Sequence, residues 1–455
     1  MKRFSLYSVI LLCLFAISSC DAQSGRSHKN RRGETPEQKN DTIPEDISLK
    51  VKPKVNVYIE NSGSMDGYVK GINEFKDAIG RLLVELKYHY DEENMNIFFI
   101  CNDKNDKSIQ VTQTAIGSDI ANFATDIDVK WRDLSRSRGH NTNLNNVFAE
   151  ILKRTDNDCI SILISDCIYS IGKGSTIDLL NHEKSTTYDA FLTKAKTNQG
   201  DLSTTIIKMK SKFDGKYYPF TGDKNAFSYK GELPYYICVF ANKGVMADFN
   251  KNIDLEQIKG FENKYIISKE KIDNIYYSIL ISSFKKGRFK PQHDGSKDCV
   301  HGIQDVKIDK RSGENLTFAI AMNLNDINVD ESYLCNADNF LLSDEDFAIV
   351  EIKELKKGDV VPSDWKKISG GNPTHVMILR VTSKKIPTTT LSISLKKQMP
   401  KWIEESSILD DTKTEYIMNG KSFGLEYWIT GISDAYRKLY PEDKCYFEIT
   451  INIKK

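Results

Sequence analysis

A short, nearly continuous apolar run recurs four times in the first half of the chain, at residues 55–59, 97–101, 160–164 and 235–240, interrupted only by Asn56 and Ser161, and no other feature limits the fold as much. A half-exposed strand alternates polar and apolar side chains, whereas a nearly continuous run of this length suits a strand buried on both faces. Between the first two runs, Ile72, Phe75, Ile79, Leu82, Leu83 and Leu86 recur at helical spacing and predict an amphipathic helix. A weaker helix falls around Ile120, Phe123 and Ile127. A clearer one uses Leu144, Val147, Phe148 and Ile151, with Asn141 or Thr142 as its cap. Strands and helices in alternation predict an α/β fold with a doubly wound, mostly parallel sheet. Residues 201–218 read as a hairpin flanking that sheet, its turn near Ser211-Lys212-Phe213-Asp214-Gly215-Lys216.

From 266 to 400 the helical period almost vanishes. Residues 276–281, 303–308, 316–322, 347–352, 376–381 and 389–395 read as short strands separated by Gly, Asn, Asp and Ser, which predicts an all-β sandwich. Phe423, Tyr427, Ile429, Ile432 and Tyr436 then predict a helix, and 445–453 a closing strand. The expected organisation is an α/β domain over 51–255 and a β domain with a C-terminal helix and strand over 266–455.

The N-terminus carries a different message. Met1-Lys2-Arg3 precedes an apolar stretch from Leu6 to Ile17, too short to span a bilayer, and small residues follow. This is the pattern of a signal peptide over 1–19. Ile17-Ser18-Ser19-Cys20 resembles the bacterial lipoprotein box. The resemblance implies a lipid such as palmitate on Cys20 and a place in the cell envelope, at the outer membrane or cell surface. Residues 20–50 are polar and charged, unable to bury enough surface to offset chain entropy, and predict a flexible tether. Loss of Lys2 and Arg3 takes the formal charge from +1 to −1. So balanced a chain has no global field to draw it onto nucleic acid.

Beyond Cys13 and Cys20 seven cysteines remain, an odd number that argues against a fully paired framework. Cys101, Cys159 and Cys238 lie in apolar runs and behave as small hydrophobes. No C-x-x-C pair announces zinc or redox chemistry, while a disulfide among the later cysteines stays open.

The stretch that carries chemistry is Tyr58-Ile59-Glu60-Asn61-Ser62-Gly63-Ser64-Met65-Asp66, at the carboxyl end of the first strand, where open α/β sheets place ligands. It resembles the D-x-S-x-S motif of the von Willebrand factor type A domain, which holds the cation of a metal-ion-dependent adhesion site. That family adds a Thr from a loop before a later helix and an Asp after the fourth strand. Thr142 and Asp166 match these positions. The resemblance covers roughly 51–255 and implies that Ser62 and Ser64 bind the metal directly, that Thr142 joins when a partner binds, and that Asp166 acts directly or through water. Hard oxygen donors of this kind suit Mg²⁺ or Ca²⁺. The departure is Glu60 where the family has Asp. Its extra methylene moves the carboxylate by about 1.5 Å, against the narrow tolerance of Mg²⁺, so Glu60 binds through water or the site favours Ca²⁺.

Other groups read more plainly. His140 is a loop residue bonded to backbone, and Ser363-Asp364-Trp365-Lys366 lacks the companions of a serine nucleophile motif. Asp344-Glu345-Asp346 and Asp410-Asp411 are solvated turns, and Tyr217, Tyr218, Tyr235 and Tyr236 are core or interface. The expected function is therefore binding: a lipid-anchored protein whose type A-like domain holds a protein partner. A surface hydrolase of glycan or peptidoglycan, or a structural subunit of an envelope assembly, are the alternatives.

Overall fold

The computed structural model describes residues 52–103, 108–114, 123–124, 126–127, 142–172, 174–197, 201–269, 274–292, 299–307, 316–325, 327, 329, 331–383, 388–441 and 444–455. The signal peptide, Cys20, the tether, His140 and Asn141 lie outside the described residues. So do Ile120 and most of the weak helix near it.

The four apolar runs become β1 (Lys54–Glu60), β2 (Met95–Asn102), β4 (Cys159–Ser165) and β6 (Phe227–Asn242). With β3 (Ile109–Thr114), β5 (Leu202–Tyr217) and β7 (Phe261–Ile267) they form one sheet in the order β3-β2-β1-β4-β6-β5-β7. Parallel pairing is confined to β2-β1-β4, and every other join is antiparallel. The sheet is thus mixed, parallel at its centre and antiparallel on both flanks. As the nearly continuous runs require, β1 and β4 are buried on both faces. One face carries α1 (Glu74–Tyr90) and a later helix at Lys243–Asn252, the other α2 (Leu144–Arg154) and α3 (Thr176–Thr197).

Local details depart from the sequence reading. Helix α1 starts at Glu74, capped by Asn73 accepting from Lys76 N–H at 3.1 Å, and Ile72 lies outside it, fully exposed. The cap of α2 is Asn143, which accepts from Asn146 N–H at 2.9 Å, not Thr142. Most consequential is β5. It runs straight through the expected turn, with Asp214 paired to Lys230 and Gly215 to Tyr229. The chain reverses instead at Pro219–Gly222, where Gly222 (φ +94°) donates to Pro219 C=O at 2.9 Å. Pairing of β4 with β6 ends at Ser165 and Tyr236, so the far half of the β5–β6 hairpin overhangs the carboxyl ends of β1 and β4.

In the second half, β8 (Tyr277–Ile279), β11 (Thr317–Met322), β13 (Phe347–Glu354) and β14 (His375–Val381) form a four-stranded antiparallel sheet. A five-stranded sheet comprises β9 (Arg288–Pro291), β10 (Gly302–Lys307), β12 (Phe340–Leu342), β15 (Thr389–Lys396) and β18 (Cys445–Ile453). Its joins are antiparallel except β10 with β18. The two sheets share one core: Phe318, Ile320, Met377 and Leu379 from one, Leu391, Ile393, Phe447, Ile449 and Ile451 from the other. Strand β18 shows the expected alternation, with Glu448, Thr450 and Asn452 exposed between those apolar residues.

Between β15 and β18 the chain returns to the first half, by way of two short parallel strands, β16 (Ser407–Ile408) and β17 (Ser422–Phe423). The helix expected with the β domain, α4 (Leu425–Leu439), packs on α3 and on the seven-stranded sheet. Trp428 lies 5.9 Å from the Phe148 ring and 5.7 Å from Tyr236. The helices touch closely at Gly431, where a Cβ would stand 2.7 Å from Lys184 C=O. Polar links hold the return in place: Tyr436 with Thr204 at 2.9 Å, Ser422 with Tyr236 at 2.8 Å, and buried Lys208 with Ser406 at 2.9 Å. The described residues from Lys52 onward accordingly belong to one compact unit. No described helix is long and apolar enough to cross a membrane.

Candidate functional site

The carboxyl ends of β1 and β4 lie side by side, and each ends in a carboxylate. Glu60 closes β1 and Asp166 follows β4; both are buried. After Glu60 the chain enters a tight turn, Gly63–Gly67, with Ser62 in the cap position. Ser62 caps nothing with its side chain. Its hydroxyl donates to Glu60 Oε1 at 2.7 Å and lies 2.9 Å from the Ser64 hydroxyl. The other oxygen of Glu60 accepts from Ser165, whose hydroxyl also accepts from Cys167 N–H at 2.8 Å. The extra reach of Glu60 over Asp is therefore taken up by Ser165, and the carboxylate is held from both sides.

Thr142 stands on the loop before α2, which Asn102 steadies by accepting from Asn143 N–H at 3.3 Å. With only 6 % of its surface exposed, Thr142 is close enough to Glu60 to favour the ionised carboxyl, yet its buried hydroxyl makes no hydrogen bond of ordinary geometry. Because Asn143 does the capping, the Thr142 oxygen is not used there and is turned to Glu60. An orphaned buried hydroxyl costs about 1–3 kcal/mol.

Burial raises the pKa of Glu60, against the hydrogen bonds from Ser165 and Ser62. Asp166 is pushed up to about 7, first by burial and then by the charge of Glu60, while Ser64 pulls it down. The groups acting most on this pair are hydroxyls, backbone N–H and other carboxylates; none is a basic side chain. Behind Asp166 the backbone bends sharply, with Cys167 at φ +52°, a conformation that non-glycine residues seldom hold without a structural reason. The sequence-derived residues Glu60, Ser62, Ser64, Thr142 and Asp166 are thus brought to one place.

The overhanging hairpin walls this place. Phe213 and Gly215 of β5 close on Gly67: a Cβ at Gly67 would run into the Phe213 ring, and one at Gly215 would lie 2.8 Å from Gly67 Cα. Tyr68, after the turn, donates to Pro234 C=O at 2.6 Å and meets Phe213 edge-on at 5.0 Å. The returning segment adds a third carboxylate that the sequence reading assigned to a solvated turn. Asp411 is fully buried, accepting from Tyr217 Oη at 2.9 Å and Phe220 N–H at 3.0 Å. Burial pushes it up to about 6, and its charge adds to the rise at Asp166. Tyr217, Tyr235 and Tyr236 are core, as expected. Asp364 is buried too, accepting from the N–H groups of Ser282 and Ser283 at 3.0 and 2.7 Å, a structural role.

A second gathering lies in the β half. Glu331, Cys335 and His375 place one possible metal-ligating atom each within 4.8 Å of one another. All seven described cysteines are free thiols. No sequence spacing pointed to this set, because His375 is forty residues from Cys335.

The chain matches no protein-family model, no curated protein and no solved structure, so what it does has to be argued from this geometry.

Proposed function

We propose that this is a lipid-anchored, extracytoplasmic binding protein, in which a type A-like cup holds Mg²⁺ or Ca²⁺ and, through it, a protein partner. One observation carries the reading. Glu60, Ser62, Ser64, Thr142 and Asp166, from three separate segments, meet as a set of oxygens of which all but the half-buried Ser64 are buried, and the Thr142 hydroxyl makes no hydrogen bond of ordinary geometry. Two neighbouring buried carboxylates without a basic side chain as main companion are held apart from their usual ionisation, and a divalent cation would relieve that. Ser62, Ser64, Thr142 and Asp166 would hold the ion. Glu60, fixed by Ser62 and Ser165, would support it from behind. An acidic side chain of the partner would complete the coordination. The anchor at Cys20 belongs to the same proposal and rests on the lipobox resemblance.

The hydrolase alternative calls for facing carboxylates in a pocket of the β half or C-terminal region. A cavity of about 350 Å³ there shows no carboxylate among its described lining residues, and in another of about 630 Å³ Glu262 and Glu232 are paired with Lys208 and Lys210. The oxygen cup makes binding the better supported reading.

The test is a melting curve of the full chain with and without Mg²⁺ or Ca²⁺, alongside capture of partners from the envelope with and without chelator. A cation-dependent rise in Tm that Ser64→Ala abolishes is expected, with partner capture sensitive to both. Absence of any rise in the wild type removes the metal; capture indifferent to chelator and to Ser64→Ala removes the cup.

A further inference from the structure

We propose that Glu331, Cys335 and His375 form a zinc site, separate from the oxygen cup and independent of the reading given above. The three donors come from two rigid pieces of backbone. Glu331 and Cys335 are four residues apart on one helical turn, closed by Cys335 N–H donating to Glu331 C=O at 2.9 Å, so both side chains rise from the same face. His375 opens β14 and is almost wholly buried.

The donors already converge. Glu331 Oε1 lies 2.9 Å from His375 Nε2 and accepts from Cys335 Sγ at 3.0 Å. Zinc bonds of about 2.0–2.3 Å in a tetrahedron set donor atoms roughly 3.3–3.8 Å apart. A modest swing of the exposed Glu331 carboxylate opens the set to that size. The other ring nitrogen, Nδ1, is 2.8 Å from Thr374 Oγ1, which also accepts from Leu324 N–H at 3.0 Å. In the metal-free site Nε2–H donates to Glu331; when a metal takes Nε2, the imidazole proton moves to Nδ1, which then donates to Thr374. Metal-bound histidines are usually oriented by such an outer partner.

The donor types choose the ion. Imidazole with thiolate and a single carboxylate suits Zn²⁺ and disfavours Mg²⁺ and Ca²⁺, which take oxygens. Three protein donors leave a fourth tetrahedral position for water. Glu354, whose strand position pairs with His375, is the next carboxylate at hand and acts on Cys335 already. Glu331 is about half exposed and gives the ion its way in. Binding replaces the Cys335 S–H by a sulfur–zinc bond and releases that proton to solvent.

The experiment is titration of the metal-free, reduced full chain with Co²⁺, followed by Zn²⁺. One equivalent of Co²⁺ is expected to give a thiolate-to-cobalt charge-transfer band in the near ultraviolet, which Zn²⁺ then abolishes. Cys335→Ser should lose the band. Glu331→Gln, at an exposed position that leaves the fold intact by circular dichroism, and Thr374→Val should weaken Co²⁺ binding by roughly 10–100-fold. Ser64→Ala should leave the band untouched, so failure at the cup and failure here are told apart. Absence of the band in folded wild type, or its persistence in Cys335→Ser, overturns the proposal.

Discussion

At the carboxyl end of β1 and β4 the gathered donors are all oxygens, drawn from three segments spread over about a hundred residues and walled on one side by a hairpin. In the β half the donors are oxygen, sulfur and nitrogen, and they sit on one helical turn and one strand end, with Glu331 at the surface. The groups of the second set satisfy one another by hydrogen bonds. Those of the first are satisfied only in part: Ser62 and Ser165 bond Glu60, but Thr142 makes no bond of ordinary geometry and the charge of Glu60 opposes that of Asp166. Preorganising a site in this way is costly. A buried set of like donors is unfavourable until something occupies it, whereas a mixed set at the surface rests comfortably without a ligand.

The largest expected effect probes the wall of the buried set. Phe213→Ala removes the ring against Gly67 and Tyr68 and should destabilise the protein by about 3–5 kcal/mol in urea denaturation. Glu331→Ala should stay within about 0.5 kcal/mol. Equal losses would erase the contrast.

Occupancy comes next. Mg²⁺ or Ca²⁺ at one hundred times its Kd should stabilise by about 2.7 kcal/mol. Ser64→Ala should remove this gain, as should Thr142→Val, and Cys335→Ser should not; chemical denaturation with and without cation reads all three. Smaller again is Ser165→Ala. It strips one oxygen of Glu60 and the N–H of Cys167 of their partner, for about 1–3 kcal/mol.

The response to pH is the most gradual. Asp166 and Asp411 have folded pKa values of about 7 and about 6, above the ordinary carboxylate value, so the folded state holds their protons longer than the unfolded state does. Their stabilising contribution is complete at about pH 4 or below and is lost as pH rises to about 7. Cation-free protein should therefore lose stability over that window, by at most about 1.4 kcal/mol per pH unit for each group. Saturating cation should flatten the upper part of the slope, and Asp166→Asn should do so without cation.

The sequence disclosed elements wherever apolar spacing was strong. The four apolar runs became strands within a few residues, except that β6 begins eight residues before its run, because its outer half overhangs the sheet and alternates. Helix α3 was missed because only Leu180, Thr187, Phe191 and Ala195 are buried along it, too sparse a pattern to announce a period. The false turn at Asp214-Gly215 had the right residue types. There Gly215 serves close approach to Gly67 rather than reversal. Of the cup, the residues next to the strand ends were legible because their motif is local. Asp411 was not, since its neighbour Asp410 has the same chemistry and only the returning chain decides which of the two is buried. His375 gave no local sign of its companions across the fold.

That return has a consequence for how the protein is made. Helix α4 covers one face of the seven-stranded sheet, and β18, next to it in sequence, is the middle strand of the five-stranded sheet. The final thirty-odd residues therefore finish both halves at once. A nascent or clipped chain lacking them would leave two greasy surfaces open together, so neither half could mature while the other waits, and protease resistance should arrive in a single late step.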